Sequence, residues 1–138
     1  MTVSRGMFEQ QMRLLKEKGY RVISIDQFFD FLEFKSTLPP KSVVITIDDG
    51  WRSAYEIAFP ILQKYGYPAT LFIYTDRIID TPQTLSWGLL QEMAGYGIDI
   101  QCHTKSHRNL TLPMQFASGT VAYSRNIPGA CGPPMNTL

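Results

Sequence analysis

Residues 43–51 read VVITIDDGW, a run of β-branched and other apolar residues that ends on two adjacent carboxylates, a glycine and a tryptophan. Such a run predicts a buried strand. Only 18% of the residues in the chain are charged, and two neighbouring carboxylates repel each other and are costly to desolvate without compensation. We therefore expect a cation or a hydrogen-bond network to face Asp48 and Asp49.

Around this stretch, segments with helical spacing of apolar residues alternate with short apolar runs. The helical segments lie at residues 7–18, 26–34, 54–65 and 87–94, and the further strand-like runs lie at residues 20–25, 69–74 and 98–103. Helices that alternate with apolar strands predict an α/β protein whose parallel sheet is covered by helices. Such a sheet is either open or closed into a barrel.

Local signals mark the ends and the interior of several helices. Ser24 and Gln27 have the spacing of a capping box, and Ser86 is a predicted N-cap. Pro60 lies inside the third helical segment, where it lacks the N–H of the usual hydrogen bond and predicts a kink.

Length and charge limit the kinds of partner. The chain has 138 residues, 44% of them hydrophobic, which fits one ordinary folded domain. Its formal net charge of +1, without a block of like charges, argues against a nucleic-acid partner. The sequence predicts no transmembrane segment, and residues 1–6 lack the pattern of a secretory signal, so the sequence alone leaves the compartment open.

The carboxyl ends of the predicted strands carry the acids and a histidine. Function in parallel α/β sheets gathers at these ends. Asp48 and Asp49 end one predicted strand and His103 ends another, so the three residues are predicted to face a common rim. His103 and His107, in HTKSH, are the only histidines in the chain. On a helical turn, a spacing of four places both imidazoles on one side.

These acids and histidines together match the ligands of a metal site. One carboxylate and two imidazoles leave positions open for water, as at a catalytic zinc ion, and the second carboxylate is then a candidate general base. Each pattern alone also has an ordinary structural explanation, because Asp-Gly favours turns, an acid at a strand end caps the next helix, and two histidines fit a solvated turn. Their conjunction at strand ends favours the metal site.

Two short motifs resemble those of a known family. TIDDG at residues 46–50 is similar to the TFDDG signature of the NodB-like polysaccharide deacetylases, carbohydrate esterase family four, and HTKSH at residues 103–107 is similar to their His-Ser/Thr-x-x-His signature. Similar linking sequences extend the resemblance over roughly residues 3–112.

The resemblance implies a (β/α) barrel and the metal-dependent hydrolysis of N-acetyl groups on an N-acetylglucosamine-type polysaccharide. By motif, Asp48 would be the catalytic base, and Asp49, His103 and His107 would bind a divalent metal, with zinc expected. The family further implies an extracytoplasmic or cell-envelope location. Which polysaccharide is the substrate is not indicated.

The chain departs from the family pattern after His107. The later family motifs, which supply an arginine, an aspartate-tryptophan pair and a histidine that acts as general acid, have no clear match. We therefore expect an incomplete barrel in residues 1–113, followed by an irregular tail in residues 114–138, for which truncation or a shifted reading frame is our hypothesis. An incomplete barrel would leave sheet edges open to self-association.

Two functions remain open on the sequence alone. The first is a polysaccharide deacetylase, a hydrolase of carbon–nitrogen bonds other than peptide bonds, or the metal-binding part of one. The second is a non-catalytic or inactive fragment that keeps a metal-binding or carbohydrate-binding surface. Trp51 follows the acids closely, and packing at the rim is favoured over sugar contact for this side chain.

Overall fold

The structure of the chain is a computed structural model that describes residues 3–107. The irregular tail that we expect at residues 114–138 lies outside these described residues. The division of the chain at residue 113 therefore stays a prediction.

The described part of the chain contains four α-helices. They are α1 (Arg5–Glu17), α2 (Ile25–Leu32), α3 (Phe59–Tyr65) and α4 (Trp87–Gly95). A π-helical turn precedes α3, at Ala54–Ala58, and a short 3-10 turn lies at Thr75–Arg77. Within residues 3–107, no helix combines the length and the apolar character needed to cross a membrane.

Side chains cap the predicted helix starts. The Gln27 N–H donates to Ser24 Oγ at 3.2 Å, and the Ser24 N–H donates back to Gln27 Oε1 at 3.0 Å, which completes the capping box of α2. The Leu89 N–H donates to Ser86 Oγ at 3.3 Å at the start of α4. Both predicted caps are confirmed.

Pro60 changes the form of the third helical segment. The π-helical turn ends immediately before α3, and the Phe59 N–H donates to the Ala54 carbonyl, five residues back rather than four. A proline cannot donate the next bond in the series, and its ring crowds the carbonyl four residues earlier. A wider turn of helix therefore ends two residues before Pro60, and the kink itself stays a prediction.

In the described residues, five short parallel strands form two sheets. The strands are β1 (Arg21–Val22), β2 (Ser42–Val43), β3 (Thr46–Asp48), β4 (Thr70–Ile73) and β5 (Asp99–Cys102). The pair β1–β2 forms one sheet, and β3–β4–β5 form the other, with every pairing parallel. Each strand pairs with a neighbour in chain order, which is the arrangement of a (β/α) barrel rather than of a doubly wound sheet.

The single strand predicted after Ser42 is instead two strands with different neighbours. The Ile23 N–H donates to the Val43 carbonyl, whereas the Thr70 N–H donates to the Ile45 carbonyl. In a regular strand, carbonyls two residues apart point to the same side. The change of neighbour therefore requires a break between β2 and β3.

Burial along β3 also differs from the prediction. Thr46 and Asp48 are exposed, and Ile47 is half-buried. The apolar run predicted a buried strand, but only one face of β3 packs against the core. By contrast, Leu71 in the neighbouring β4 has no exposed surface, and Thr70 and Ile73 are also buried.

One hydrophobic cluster joins the helices to the three-stranded sheet. Leu62 of α3, Leu71 of β4, and Leu90 and Met93 of α4 are each at most 1% exposed, and Met12 is the buried residue of α1. Each fully buried side chain of this kind contributes roughly 1.5–3 kcal/mol relative to an exposed one. The cluster therefore fixes β4 at the centre of its sheet.

Gly50 forms the tight turn that follows β3. Its φ is +78°, and a Cβ placed on it would lie 3.0 Å from Ile78 Cδ1 and 3.4 Å from Ile73 Cγ2. Residues other than glycine rarely adopt this left-handed backbone, and here the added atom would also meet the core.

We expect Gly50→Ala to lower the free energy of unfolding by about 1–3 kcal/mol, because the new Cβ is both strained and crowded. The matched control is Gly6→Ala in α1, where a Cβ meets nothing within 4 Å. That change should raise stability by up to about 1 kcal/mol through helix propensity. Urea unfolding of the three proteins measures both effects. Equal shifts in the same direction would contradict the role given to Gly50.

Candidate metal centre

The carboxyl ends of β3 and β5 lie next to the carboxyl end of β4, one on each side of it. The Asp49 N–H donates to the Phe72 carbonyl at 2.8 Å, and the His103 N–H donates to the Ile73 carbonyl at 2.6 Å. Both residues therefore continue the parallel ladders just past the strand ends. Asp49 and His103 lie at the common rim that the sequence predicted for them.

Asp49 lies where the strand becomes a turn. Its φ is +79°, and that of Gly50 is +78°. Aspartate tolerates this left-handed region better than most residues do. The backbone thus leaves the strand at Asp49, and the alternation that would separate its side chain from the rim no longer applies.

A turn, not a helix, brings the two histidines together. Thr104 and His107 have φ values of +70° and +48°, and the His107 N–H donates to Thr104 Oγ1 at 3.0 Å. The Asp76 N–H donates to the Lys105 carbonyl at 3.0 Å and ties this turn to the segment after β4. The segment HTKSH thus forms no helical turn, and residues with left-handed backbone close it instead.

Three side chains converge at the rim. Asp49 Oδ1 lies 3.6 Å from His107 Nε2 and 4.0 Å from His103 Nε2. One ligand atom from each of the three residues lies within 4.8 Å of the others, and the two imidazole centroids are 4.9 Å apart. The arrangement offers one oxygen and two nitrogens to a single point.

The spacing of these atoms suits a small divalent cation. Two ligands bound tetrahedrally to zinc at about 2.0–2.1 Å lie about 3.3–3.4 Å apart. The carboxylate-to-imidazole distances of 3.6 and 4.0 Å need only small side-chain movements to reach that geometry. A carboxylate with two imidazoles is also a donor set that zinc accepts. The residues therefore fit the metal that the sequence predicted.

The rim is open to solvent. The side chains of Asp49 and His103 are 33% and 35% exposed, and that of His107 is 55% exposed. A ligand or substrate can approach the three residues without entering a closed cavity. This accessibility suits a large substrate of which only one group reaches the centre.

Asp48 occupies a different place from the three converging residues. It is the last residue of β3, its register partner is Phe72, and it is exposed. It does not belong to the group formed by Asp49, His103 and His107. The structure thus separates the two acids of the DDG sequence, one in the strand and one in the turn.

Three residues behind the centre form contacts that sequence reasoning did not assign. The Trp51 Nε1–H donates to Asp49 Oδ2 at 3.3 Å, and the Arg77 guanidinium carbon lies 3.3 Å from the Trp51 ring centroid. The Tyr74 ring lies 5.2 Å from the His107 ring, centroid to centroid. Arg77 lies shortly after the carboxyl end of β4, and this position was the one sequence feature that could have marked it as a candidate site residue.

Comparison with known proteins matches the chain to one family. The family described as polysaccharide deacetylase matches residues 35–126, more than half of the chain. YxkH of Bacillus subtilis (strain 168), which is named as a polysaccharide deacetylase, is 34% identical over 110 residues, and the match covers 80% of this chain and 39% of YxkH.

Two further relatives give a substrate name and a structure. The poly-beta-1,6-N-acetyl-D-glucosamine N-deacetylase of Staphylococcus aureus (strain MRSA252) is 33% identical over 115 residues, covering 80% of this chain and 39% of that protein. The Streptococcus pyogenes deacetylase PplD, solved in complex with acetate, has a TM-score of 0.73 and 29% identity. That superposition covers 81% of this chain and 50% of PplD.

The chain spans about two fifths of the length of these curated relatives, at 39% for each. Its parallel strands in chain order agree with the barrel of the solved deacetylases. The chain therefore belongs to the polysaccharide deacetylase family, and its fold is part of the (β/α) barrel of the NodB-like type.

Proposed function

We propose that the chain is the metal-binding part of a hydrolase that removes N-acetyl groups from a polysaccharide. The observation that carries the proposal is the convergence of Asp49 Oδ1 with the imidazole nitrogens of His103 and His107 at the carboxyl rim of a deacetylase-type sheet. Family membership and the open rim support the same conclusion.

Asp49, His103 and His107 would hold the metal, for which zinc is our proposal. When bound, zinc would supply Lewis-acid polarisation of the amide carbonyl and greater acidity of the attacking water. The chain contributes the geometry. Asp49 presents Oδ1 towards the histidines while Oδ2 accepts the Trp51 N–H, so a single carboxylate oxygen is directed at the site.

Asp48 is the proposed general base. Its carboxylate is exposed at the end of β3, one residue before Asp49, and is outside the group that would bind metal. A carboxylate that is not a ligand keeps its lone pairs for a proton. Asp48 would accept the proton of the attacking water, and the amide C–N bond would break as the leaving nitrogen takes up a proton, so that acetate and a free amine would result.

The proposed substrate is a polymer of N-acetylglucosamine type. The Staphylococcus aureus relative is named for poly-beta-1,6-N-acetyl-D-glucosamine, which supports this class. A rim whose three side chains are each one third exposed or more admits a polymer that lies across it. An extracytoplasmic or cell-envelope location, which the family resemblance implies, is part of the proposal.

The first test concerns the metal. The purified chain should bind about one zinc ion, and Asp49→Ala, His103→Ala and His107→Ala should each lower the affinity by at least about tenfold, because each removes one of three ligands. Zinc titration against a chromophoric chelator measures the affinities. Asp26→Ala, on the exposed side of α2, is the control and should match the wild type. Equal affinities in all five proteins would contradict the site.

The second test separates the base from the ligands. In the protein that the complete gene encodes, Asp48→Asn should keep its zinc and lose about 100-fold or more of its deacetylation rate, because an amide does not accept the proton of water. Acetate release from N-acetylglucosamine oligomers measures the rate, and elemental analysis measures the zinc.

Two outcomes of this second test would contradict the proposal in different ways. Loss of zinc in Asp48→Asn would mean that the roles of the two aspartates are exchanged. Bound zinc without acetate release in the wild type, on oligomers from several polysaccharides, would favour the non-catalytic alternative.

A further inference from the structure

The two oxygens of the Asp49 carboxylate have different partners. Oδ1 faces the imidazoles of His103 and His107, whereas Oδ2 accepts the Trp51 Nε1–H at 3.3 Å. The hydrogen bond to Trp51 therefore fixes the rotation of the carboxylate. Partners of this kind determine how a metal ligand is oriented and how tightly it binds.

Arg77 stacks on the ring of Trp51, the residue whose N–H donates to Asp49. Its guanidinium carbon lies 3.3 Å from the indole centroid, in the range of direct stacking. Trp51 itself is 44% exposed, so the core alone does not fix the ring. The backbone of Trp51 bridges to Thr84, which anchors the main chain but leaves the side chain to Arg77.

The guanidinium of Arg77 also contacts Tyr74, a residue that packs beside His107. Arg77 Nη1 donates a short hydrogen bond to the Tyr74 hydroxyl, and the Tyr74 ring lies 5.2 Å from the His107 ring, tilted by 35°. His107 has a left-handed backbone, with φ of +48°, a conformation that persists where surrounding contacts hold it. Arg77 thus touches the neighbours of both Asp49 and His107.

One donor of Arg77 is left unsatisfied by this placement. Its Nε is buried and makes no hydrogen bond to the residues that the structure describes. A buried donor without a partner is unfavourable. The guanidinium thus contacts both Trp51 and Tyr74, while its Nε has no partner among residues 3–107.

We propose that Arg77 is a positioning residue of the metal centre, which orients Asp49 through Trp51 and supports His107 through Tyr74. This inference rests on the metal centre of the proposed function. The planar guanidinium is needed because it stacks on the indole and donates to the hydroxyl at the same time. A lysine keeps the charge but does not provide the stacking plane.

The test measures zinc affinity and ligand geometry rather than turnover. Zinc affinity is measured by competition with a chromophoric chelator, and geometry by the visible absorption of the cobalt(II)-substituted protein. The variants are Arg77→Lys, Trp51→Phe and the two combined. Trp51→Phe keeps a ring under the guanidinium but removes the N–H that Asp49 accepts.

The matched control is Arg52→Lys. Arg52 is also half-buried beside the rim, but it pairs with Glu56 and Asp80 and not with Trp51 or Tyr74. Its substitution should leave zinc affinity and the cobalt spectrum unchanged. Thermal unfolding of each metal-free protein separates a general loss of stability from a local effect on the site.

We expect Arg77→Lys and Trp51→Phe each to weaken zinc binding by about tenfold and to shift the cobalt bands, with metal-free unfolding midpoints within about 2 °C of the wild type. The combined variant should bind zinc about as weakly as Arg77→Lys alone, because that change already removes the support that reaches Asp49 through Trp51 as well as the support that reaches His107 through Tyr74.

The outcomes test the metal centre and the positioning role of Arg77 separately. A wild-type protein that binds no zinc overturns the proposed metal centre, and the inference with it. Wild-type binding that is lost in His103→Ala but unchanged in Arg77→Lys overturns the inference alone. Weakening by Arg52→Lys equal to that by Arg77→Lys, or fully additive losses in the combined variant, also overturns it.

Discussion

The parallel hydrogen-bond ladder centred on β4 is the interaction on which the rest of the structure depends. Its last two carbonyls, those of Phe72 and Ile73, accept the N–H groups of Asp49 and His103. Because both ladders run in parallel from the same strand, two residues far apart in sequence are held at the same height. The buried Leu71 at the centre keeps that strand in place.

Next to this ladder, several residues have strained, left-handed backbone conformations, and two of them, Asp49 and His107, belong to the candidate metal centre. Asp49, Thr104 and His107 all have positive φ. Conformations of this kind cost of order 1–3 kcal/mol each for ordinary residues and persist where surrounding contacts hold them. The hydrogen bonds of the HTKSH turn and of its link to Asp76 supply such contacts. Three of the non-glycine residues with positive φ therefore lie at the rim, next to the regular ladder of β4.

Much of the fold was predictable because its signals are local. The capping box of Ser24 with Gln27 and the cap of α4 by Ser86 depend on neighbours within one helical turn, and both were confirmed. The break between β2 and β3 was not predictable in this way, because it arises from a change of partner strand. An apolar run carries no information about which neighbour pairs with it.

The candidate site was likewise predictable from the sequence only in part. The meeting of Asp49 with the two histidines followed from strand-end topology and from motif resemblance. The left-handed turn at Thr104 did not follow, since the same spacing of histidines is also compatible with a helix. Arg77 was missed because its role depends on contacts with Trp51 and Tyr74 in three dimensions, and no short motif contains all three residues.

The break between β2 and β3 separates the hydrogen bonds of the β1–β2 pair from those of the β4 ladder. No ladder runs continuously from β1 to β5 in the described residues, so opening the β1–β2 pair does not require breaking the hydrogen bonds of β4. Such a pair of two-residue strands has few bonds to lose, and its amide hydrogens can exchange with solvent through a small local opening. The β1–β2 pair can thus open locally while the hydrogen bonds that hold Asp49 and His103 at the rim stay intact.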